Sequence, residues 1–141
     1  MPTIRKAHTV WQGNLFEGSG QTTLDTSGLG TYDVTWKART EEANGKTSPE
    51  ELLAAAHASC FSMAFSNELD GAGYKAERIE TSAEVGFKAG EGITGSQLTV
   101  TAQVPGIAQD EFQQIAEKAK AGCPVSSALS IPITLKATLE S

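Results

Sequence analysis

The sequence contains only two cysteines among its 141 residues, and it lacks the motifs of several large protein classes. No apolar run approaches the roughly 20 residues that a bilayer-spanning helix needs. Residues 1–6 lead into no apolar segment, so we expect no signal peptide. There is no Gly-x-Gly-x-x-Gly, no Walker A sequence and no Gly-x-Ser-x-Gly, which argues against nucleotide-binding, flavin-binding and serine hydrolase functions.

Positive charge is also scarce. Lysine and arginine number 11 against 17 aspartates and glutamates, which gives a formal net charge of −6 and a pI of about 4.9. An acidic surface repels phosphate groups, so we expect neither a nucleic acid nor an anionic membrane as a partner. Without a signal peptide the expected compartment is the cytoplasm, where two cysteines are more often reactive or catalytic than a structural disulfide.

One segment carries a strong helix signal. Ser48 is a suitable N-cap, Pro49 suits the first helical position, and Glu51 completes a capping-box pattern. From Leu52 to Leu69 the segment is dominated by alanine, leucine, phenylalanine and methionine, and Gly71 ends it. Because apolar residues lie almost all round this helix, we expect it to be buried on all sides, with a second subunit helping to cover it.

The remaining segments are predicted to be mainly strands. Alternating apolar and polar residues predict strands over residues 32–39, 79–87, 98–104 and 131–139, and residues 3–25 also have the pattern of strands. Two further helices are predicted, an amphipathic one over 109–121 and a short one over 124–129. This order indicates a single α+β domain over residues 1–141, with mostly antiparallel sheet.

The two cysteines are the strongest candidates for chemistry. Cys123 precedes Pro124 at a predicted helix start, where N–H groups and the helix dipole stabilise a thiolate, although a capping role would explain it equally well. Cys60 lies in the middle of the apolar helix, where a cysteine most often serves as a small packed side chain. Judged only by its neighbours and its place at a helix start, Cys123 is expected to be the more acidic thiol. Cys60 has no such help within its helix, so it needs a cation from elsewhere in the protein to ionise.

Arg39 is the best candidate for that cation, since an arginine near a thiol lowers its pKa, although most arginines are simply solvated. Glu50 lies ten residues before Cys60, about 15 Å along the helix axis, so the two cannot touch within one straight helix. Glu50 could act on the site only by holding Arg39 in a carboxylate–guanidinium pair, or across a dimer interface. Glu51 is expected to serve only the helix N-terminus.

The two histidines offer weaker signals. His57 lies three residues before Cys60 on the same helix face and could form an activated Cys–His pair. A packed, hydrogen-bonded core histidine is the more common outcome and is the one we expect. Cys60, Cys123, His57 and His8 could instead bind zinc, but the sequence has neither a Cys-x-x-Cys nor a His-x₃₋₅-His spacing.

Two motifs resemble the OsmC/Ohr family, the osmotically inducible and organic hydroperoxide resistance proteins. The first runs from Thr47 to Phe61 and includes Thr-Ser-Pro-Glu-Glu-Leu-Leu and Ala-Ala-Ala-His-Ala-Ser-Cys; the second is Ala-Gly-Cys-Pro-Val-Ser over residues 121–126. Chain length, cysteine separation and element order also fit, so the resemblance covers the whole chain. The histidine at position 57 resembles the OsmC branch, because the Ohr branch usually has Gly-Tyr there.

The resemblance implies an intertwined homodimer in which antiparallel sheets surround long, buried central helices. It implies a peroxidase in which Cys60 attacks an organic hydroperoxide, or less efficiently hydrogen peroxide, and Cys123 resolves the resulting sulfenic acid as a disulfide. Glu50 and Arg39 match the family's glutamate and activating arginine. The implied partners are the hydroperoxide and a dithiol reductant, for which the family suggests a lipoyl-type dithiol, and no bound cofactor or metal is implied.

Two alternatives stay open beside a peroxidase of stress defence. The chain could be a non-catalytic small-ligand or stress-binding protein on the same scaffold, with inert cysteines, or a zinc-binding structural module. A peroxidase for organic hydroperoxides should have an apolar substrate pocket, and Phe61, Met63 and Phe65 or their neighbours are expected to line it.

Overall fold

A computed structural model describes residues 1–140, which form six strands and four helices. The strands are β1 (Ala7–Gln12), β2 (Ser19–Leu24), β3 (Thr31–Val34), β4 (Arg78–Lys88), β5 (Gly92–Gln103) and β6 (Ile133–Leu139). The helices are α1 (Trp36–Thr40), α2 (Pro49–Gly71), α3 (Gln109–Gly122) and α4 (Pro124–Ala128). The predicted α+β class is confirmed. The elements predicted after residue 48 are present with shifts of one or two residues at their ends, except that β5 begins at Gly92 rather than at residue 98.

The strands form two sheets of three strands each, in the orders β1-β2-β3 and β4-β5-β6. All neighbours are antiparallel except β5 and β6, which pair in parallel, so the sheets are mostly antiparallel as predicted. A parallel neighbour needs a long crossover connection, and α3 and α4 supply it. β6 is an edge strand that begins directly after Pro132, as the missing proline N–H requires.

The core lies between the second sheet and the helices α2 and α3. Alternate residues of β5 face inward and are buried, namely Ser96, Leu98, Val100 and Ala102. Three phenylalanines fill the space between the helices: the ring of Phe65 lies 5.6 Å from that of Phe61 and 5.4 Å from that of Phe112. Aromatic side chains of this size contribute a large share of the apolar burial in a small domain. They fix the inner face of α2.

Helix α2 begins as predicted, since the Ser48 side chain accepts a hydrogen bond from the N–H of Glu51. It is not buried on all sides within one chain, however. Its inner face is buried through His57, Phe61, Phe65 and Leu69, whereas its outer face exposes Ala55, Ala56, Ser59 and Met63. Met63 is 72% exposed. No helix within residues 1–140 is both long and apolar enough to cross a membrane.

The strand predicted over residues 32–39 is shorter than expected, so the placement of Arg39 at a strand end is wrong. β3 ends at Val34, and the Thr35 hydroxyl then caps α1 by accepting a hydrogen bond from the N–H of Ala38 at 3.0 Å. Trp36 meets Phe87 of β4 edge-on, with ring centroids 5.7 Å apart. This aromatic contact and the cap together outweigh the local alternation of the sequence.

Candidate active site

Cys60 and Cys123 are far apart in sequence but lie close enough for each thiol to perturb the pKa of the other. Both are free thiols. Cys60 is carried by the middle of α2 and is partly exposed, whereas Cys123 joins α3 to α4 and is 0% exposed. The described chain therefore presents one thiol that a reagent can reach and a second, sealed thiol beside it.

The surroundings favour the thiolate form of Cys123 over that of Cys60. Burial raises the pKa of Cys123, but the Ser126 N–H and hydroxyl, the Cys60 thiol and the Val125 N–H together lower it below its usual value. Burial raises the pKa of Cys60, a hydrogen bond from the Val125 N–H lowers it, and the adjacent Cys123 raises it again, so that the pKa lies above its usual value. Cys123 is therefore the more acidic of the two thiols.

Arg39 and Glu50 form a bidentate pair, as the sequence allowed. The Arg39 Nε donates to Glu50 Oε1 at 3.0 Å, and its Nη2 donates to Oε2 at 2.8 Å. Glu50 is only 6% exposed. The guanidinium also lies over the ring of Phe87 at 4.0 Å. A fork held on one side by a carboxylate and on the other by an aromatic ring keeps the cation in a defined orientation.

This ion pair is remote from the thiols of its own chain. Glu50 lies in the first turn of α2, and the ten residues that separate it from Cys60 rise about 15 Å along the axis. The groups that perturb the pKa of Cys60 are Val125 and Cys123, and Arg39 is not among them. The structure thus assembles the four predicted site residues as two separate pairs.

His57 is the hydrogen-bonded core histidine that we expected. It is 0% exposed, with Nδ1 2.6 Å from Ser96 Oγ and Nε2 2.7 Å from Ser126 Oγ. Burial lowers its pKa, so the ring is neutral near pH 7. Sequence reasoning missed both serines as site residues. Ser96 could have been found, since it occupies the inward phase of the alternation in β5.

The three residues predicted to line an apolar substrate pocket do not face one common cavity. Phe61 and Phe65 are 0% exposed and belong to the core, and Met63 lies on the open face of α2. An apolar cavity of about 360 Å³ lies instead beside Arg39, and its lining includes Trp11, Leu15, Val34, Trp36 and Pro49.

The zinc hypothesis gains no support, since residues 1–140 contain no group of three or more histidine, cysteine, aspartate or glutamate side chains placed to hold a metal ion.

An accessible thiol beside a buried, more acidic one, on an α+β scaffold, is an arrangement suited to a thiol redox protein. The family profile described as "OsmC-like protein" matches residues 40–137. Over 144 aligned positions the sequence is 41% identical to Peroxiredoxin OsmC of Escherichia coli strain K12, with 100% of both chains covered. The chain therefore belongs to the OsmC family. The predicted family is confirmed, and with it the predicted class of activity, a thiol-dependent peroxidase.

Solved structures agree with this assignment. An organic hydroperoxide resistance protein of Elizabethkingia anophelis is 26% identical and superposes with a TM-score of 0.66, covering 100% of this chain and 99% of that one. An OsmC-like protein of Mycoplasma pneumoniae has a TM-score of 0.75 at 14% identity, with 100% of both chains covered, and shows the fold alone. The predicted OsmC-like fold is confirmed.

Proposed function

We propose that the protein reduces organic hydroperoxides, with Cys60 as the thiol that attacks peroxide and Cys123 as the thiol that resolves the product. The observation that carries this assignment is the difference in exposure of the two adjacent thiols, because a peroxide can reach Cys60 but not the buried Cys123. Cys123 is the more acidic thiol, yet acidity without access cannot make it the first nucleophile.

The chemistry proceeds in three steps. The Cys60 thiolate attacks the terminal peroxide oxygen, the O–O bond breaks, and the alkoxide leaves and takes up a proton to become the alcohol. The Cys123 thiolate then attacks the oxidised sulfur, so that an S–S bond forms and hydroxide leaves. An external dithiol returns both cysteines to the thiol state by exchange, and we propose a lipoyl-type dithiol for this role. The expected compartment is the cytoplasm, where thiols are kept reduced.

Cys60 must lose its proton before it can attack, and its own chain works against this, since burial and Cys123 raise its pKa. The Arg39–Glu50 pair offers an oriented guanidinium but lies about 15 Å along α2 from Cys60. We therefore propose that Arg39 acts on Cys60 of the partner subunit in a homodimer, with Glu50 holding the guanidinium in place.

The exposed face of α2 supports such a dimer. Ala55 is the residue midway between Glu50 and Cys60, and it lies on this face with Ala56, Ser59 and Met63. Two α2 helices that cross antiparallel near Ala55 would bring the first turn of each helix, with Glu50, level with Cys60 of the other along the helix axis. Small side chains at the crossing allow a close approach of the helices, and apolar residues gain from the removal of water.

The cavity beside Arg39 fits the organic part of the substrate. Its lining is almost wholly apolar, and Arg39 is the charged residue in it. An alkyl or aryl group bound there would leave the peroxide oxygens near the guanidinium. In the proposed dimer, this position is also near Cys60 of the partner subunit.

Mass spectrometry after one equivalent of cumene hydroperoxide tests the function. We expect the intact protein to lose the mass of two hydrogens, with a Cys60–Cys123 bridge in the peptide map and cumyl alcohol in the solution. Cys60→Ser should consume no peroxide, whereas Cys123→Ser should consume one equivalent and hold a sulfenic acid that dimedone traps. An unchanged mass, with the peroxide intact, would instead favour a non-catalytic ligand-binding protein.

A further inference from the structure

His57 lies at the centre of a buried chain of hydrogen bonds that ends at Ser126, close in sequence to Cys123. The imidazole bridges the hydroxyl groups of Ser96 on β5, at 2.6 Å, and Ser126 on α4, at 2.7 Å. All three residues are buried, with His57 0%, Ser96 2% and Ser126 8% exposed. The peroxidase chemistry described above makes no use of these three side chains, although Ser126 is only three residues from Cys123.

Cys123 caps α4 and Ser126 is the third residue of that helix, and the Ser126 hydroxyl is among the groups that lower the pKa of Cys123. A hydroxyl has one proton. If Ser126 gives that proton to the sulfur, it accepts from His57, so the imidazole proton lies on Nε2 and Nδ1 accepts from the Ser96 hydroxyl. In this tautomer the hydrogen bonds of His57 turn the Ser126 hydroxyl toward the sulfur.

We propose that His57 is a positioning residue for the resolving thiol: it orients the Ser126 hydroxyl toward Cys123 and keeps this sulfur ready to attack oxidised Cys60. This inference rests on the proposed function, in which Cys123 performs that attack. During the attack the new S–S bond forms as the S–O bond of the sulfenic acid breaks, and hydroxide leaves and is protonated by solvent. Cys123 is oxidised and the Cys60 sulfur is reduced, while Ser126 and His57 keep their protons.

The same hydrogen bonds assist the reductive half of the cycle. The external dithiol can reach the Cys60 sulfur but not the buried Cys123 sulfur. Attack on Cys60 expels Cys123 as a thiolate, and a more acidic thiol leaves faster in thiol–disulfide exchange. One oriented hydroxyl therefore serves Cys123 both as a nucleophile and as a leaving group.

The first test measures ionisation of Cys123 alone, without any peroxide. In a Cys60→Ser background, thiolate absorbance in the ultraviolet is followed against pH. We expect Ser126→Ala and His57→Leu each to raise the midpoint of the Cys123 titration by about one pH unit, because one hydrogen bond to a charged sulfur is lost. His57→Gln, which keeps an N–H donor near the position of Nε2, should restore most of the shift.

Ser127→Ala is the matched control, since the Ser127 hydroxyl donates to the carbonyl of Ala121 and should leave the midpoint unchanged. A His57→Leu midpoint equal to that of the parent protein would overturn the inference. Circular dichroism shows which variants fold. If His57→Leu does not fold, Ser96→Ala is the deciding variant, because it leaves the imidazole in place but no longer fixes which ring nitrogen carries the proton. We expect Ser96→Ala to raise the midpoint of the Cys123 titration by a smaller amount. An unchanged midpoint would overturn the inference.

The second test separates the steps of the cycle in the protein with both cysteines. In stopped-flow experiments, His57→Leu should not slow the oxidation of Cys60 by peroxide but should slow disulfide formation about threefold at pH 7. The higher pKa lowers the ionised fraction of Cys123 about tenfold, but the more basic thiolate is about threefold more nucleophilic. The net loss of rate is therefore about threefold. An equal slowing of both steps would contradict a role specific to Cys123. Absence of peroxide turnover in the wild type would overturn the proposed function and leave the titration result intact.

Discussion

Replacement of Arg39 by glutamine tests whether a guanidinium ionises Cys60. Within its own chain Cys60 has a raised pKa, whereas even an ordinary cysteine is only about 3% thiolate at pH 7. If Arg39 keeps Cys60 ionised at this pH, the loss of Arg39 lowers the fraction of Cys60 in the thiolate form at least about 30-fold. The more basic thiolate is intrinsically more reactive and recovers about half of this loss on a logarithmic scale. We therefore expect a rate with cumene hydroperoxide about fivefold lower at pH 7.

The dependence of this loss on pH is the decisive observation. In the variant the half-maximal rate should move to a pH above about 8.5, and at still higher pH the variant should be at least as fast as the wild type. Lys37→Gln is the matched control, since Lys37 is an exposed cation on the same helix α1. A rate ratio that is the same at every pH would refute an effect on ionisation and leave Arg39 with another role. An amide at position 39 can still donate to the buried Glu50, which limits the cost to folding.

Three further predictions concern assembly and stability. Ala55→Glu places two carboxylates at the proposed helix crossing, so light scattering should give the monomer mass at micromolar concentration, whereas Gln97→Glu on the exposed side of β5 should stay dimeric. Phe112→Ala removes a 0% exposed ring that contacts Phe65 and should lower the free energy of unfolding in urea by about 3–5 kcal/mol. Ser48→Ala removes the N-cap of α2 and should cost about 1 kcal/mol in the same measurement.

Local signals were sufficient for much of the fold. The cap at Ser48 and the proline at position 49 mark the start of α2 by short-range chemistry that needs no tertiary context. The alternation of apolar and polar residues along β4 and β5 indicates a sheet with one buried face, and the structure contains both strands. The acidity of Cys123 was likewise predicted from its place at a helix start, and the lowered pKa agrees.

Features that depend on long-range contacts were not predictable in this way. The parallel pairing of β6 with β5 follows from the path of α3 and α4, which no local pattern reports. Arg39 lies in a helix rather than at a strand end because Trp36 packs against Phe87, far away in the sequence. The hydrogen bonds of His57 join three elements, so the sequence could indicate that the ring is buried but not which groups satisfy it.

The site separates two properties that a nucleophilic cysteine usually combines, namely acidity and access. Cys123 is acidic because α4 directs N–H groups and a hydroxyl at it, and the same packing seals it from a peroxide. Cys60 is accessible, but burial and the adjacent Cys123 raise its pKa. A guanidinium brought by a second subunit would reverse this balance only where the dimer has formed. On that reasoning a monomeric variant such as Ala55→Glu should keep an acidic Cys123 while it loses the fast reaction of Cys60 with hydroperoxide, because the two thiols depend on different parts of the assembly for their ionisation.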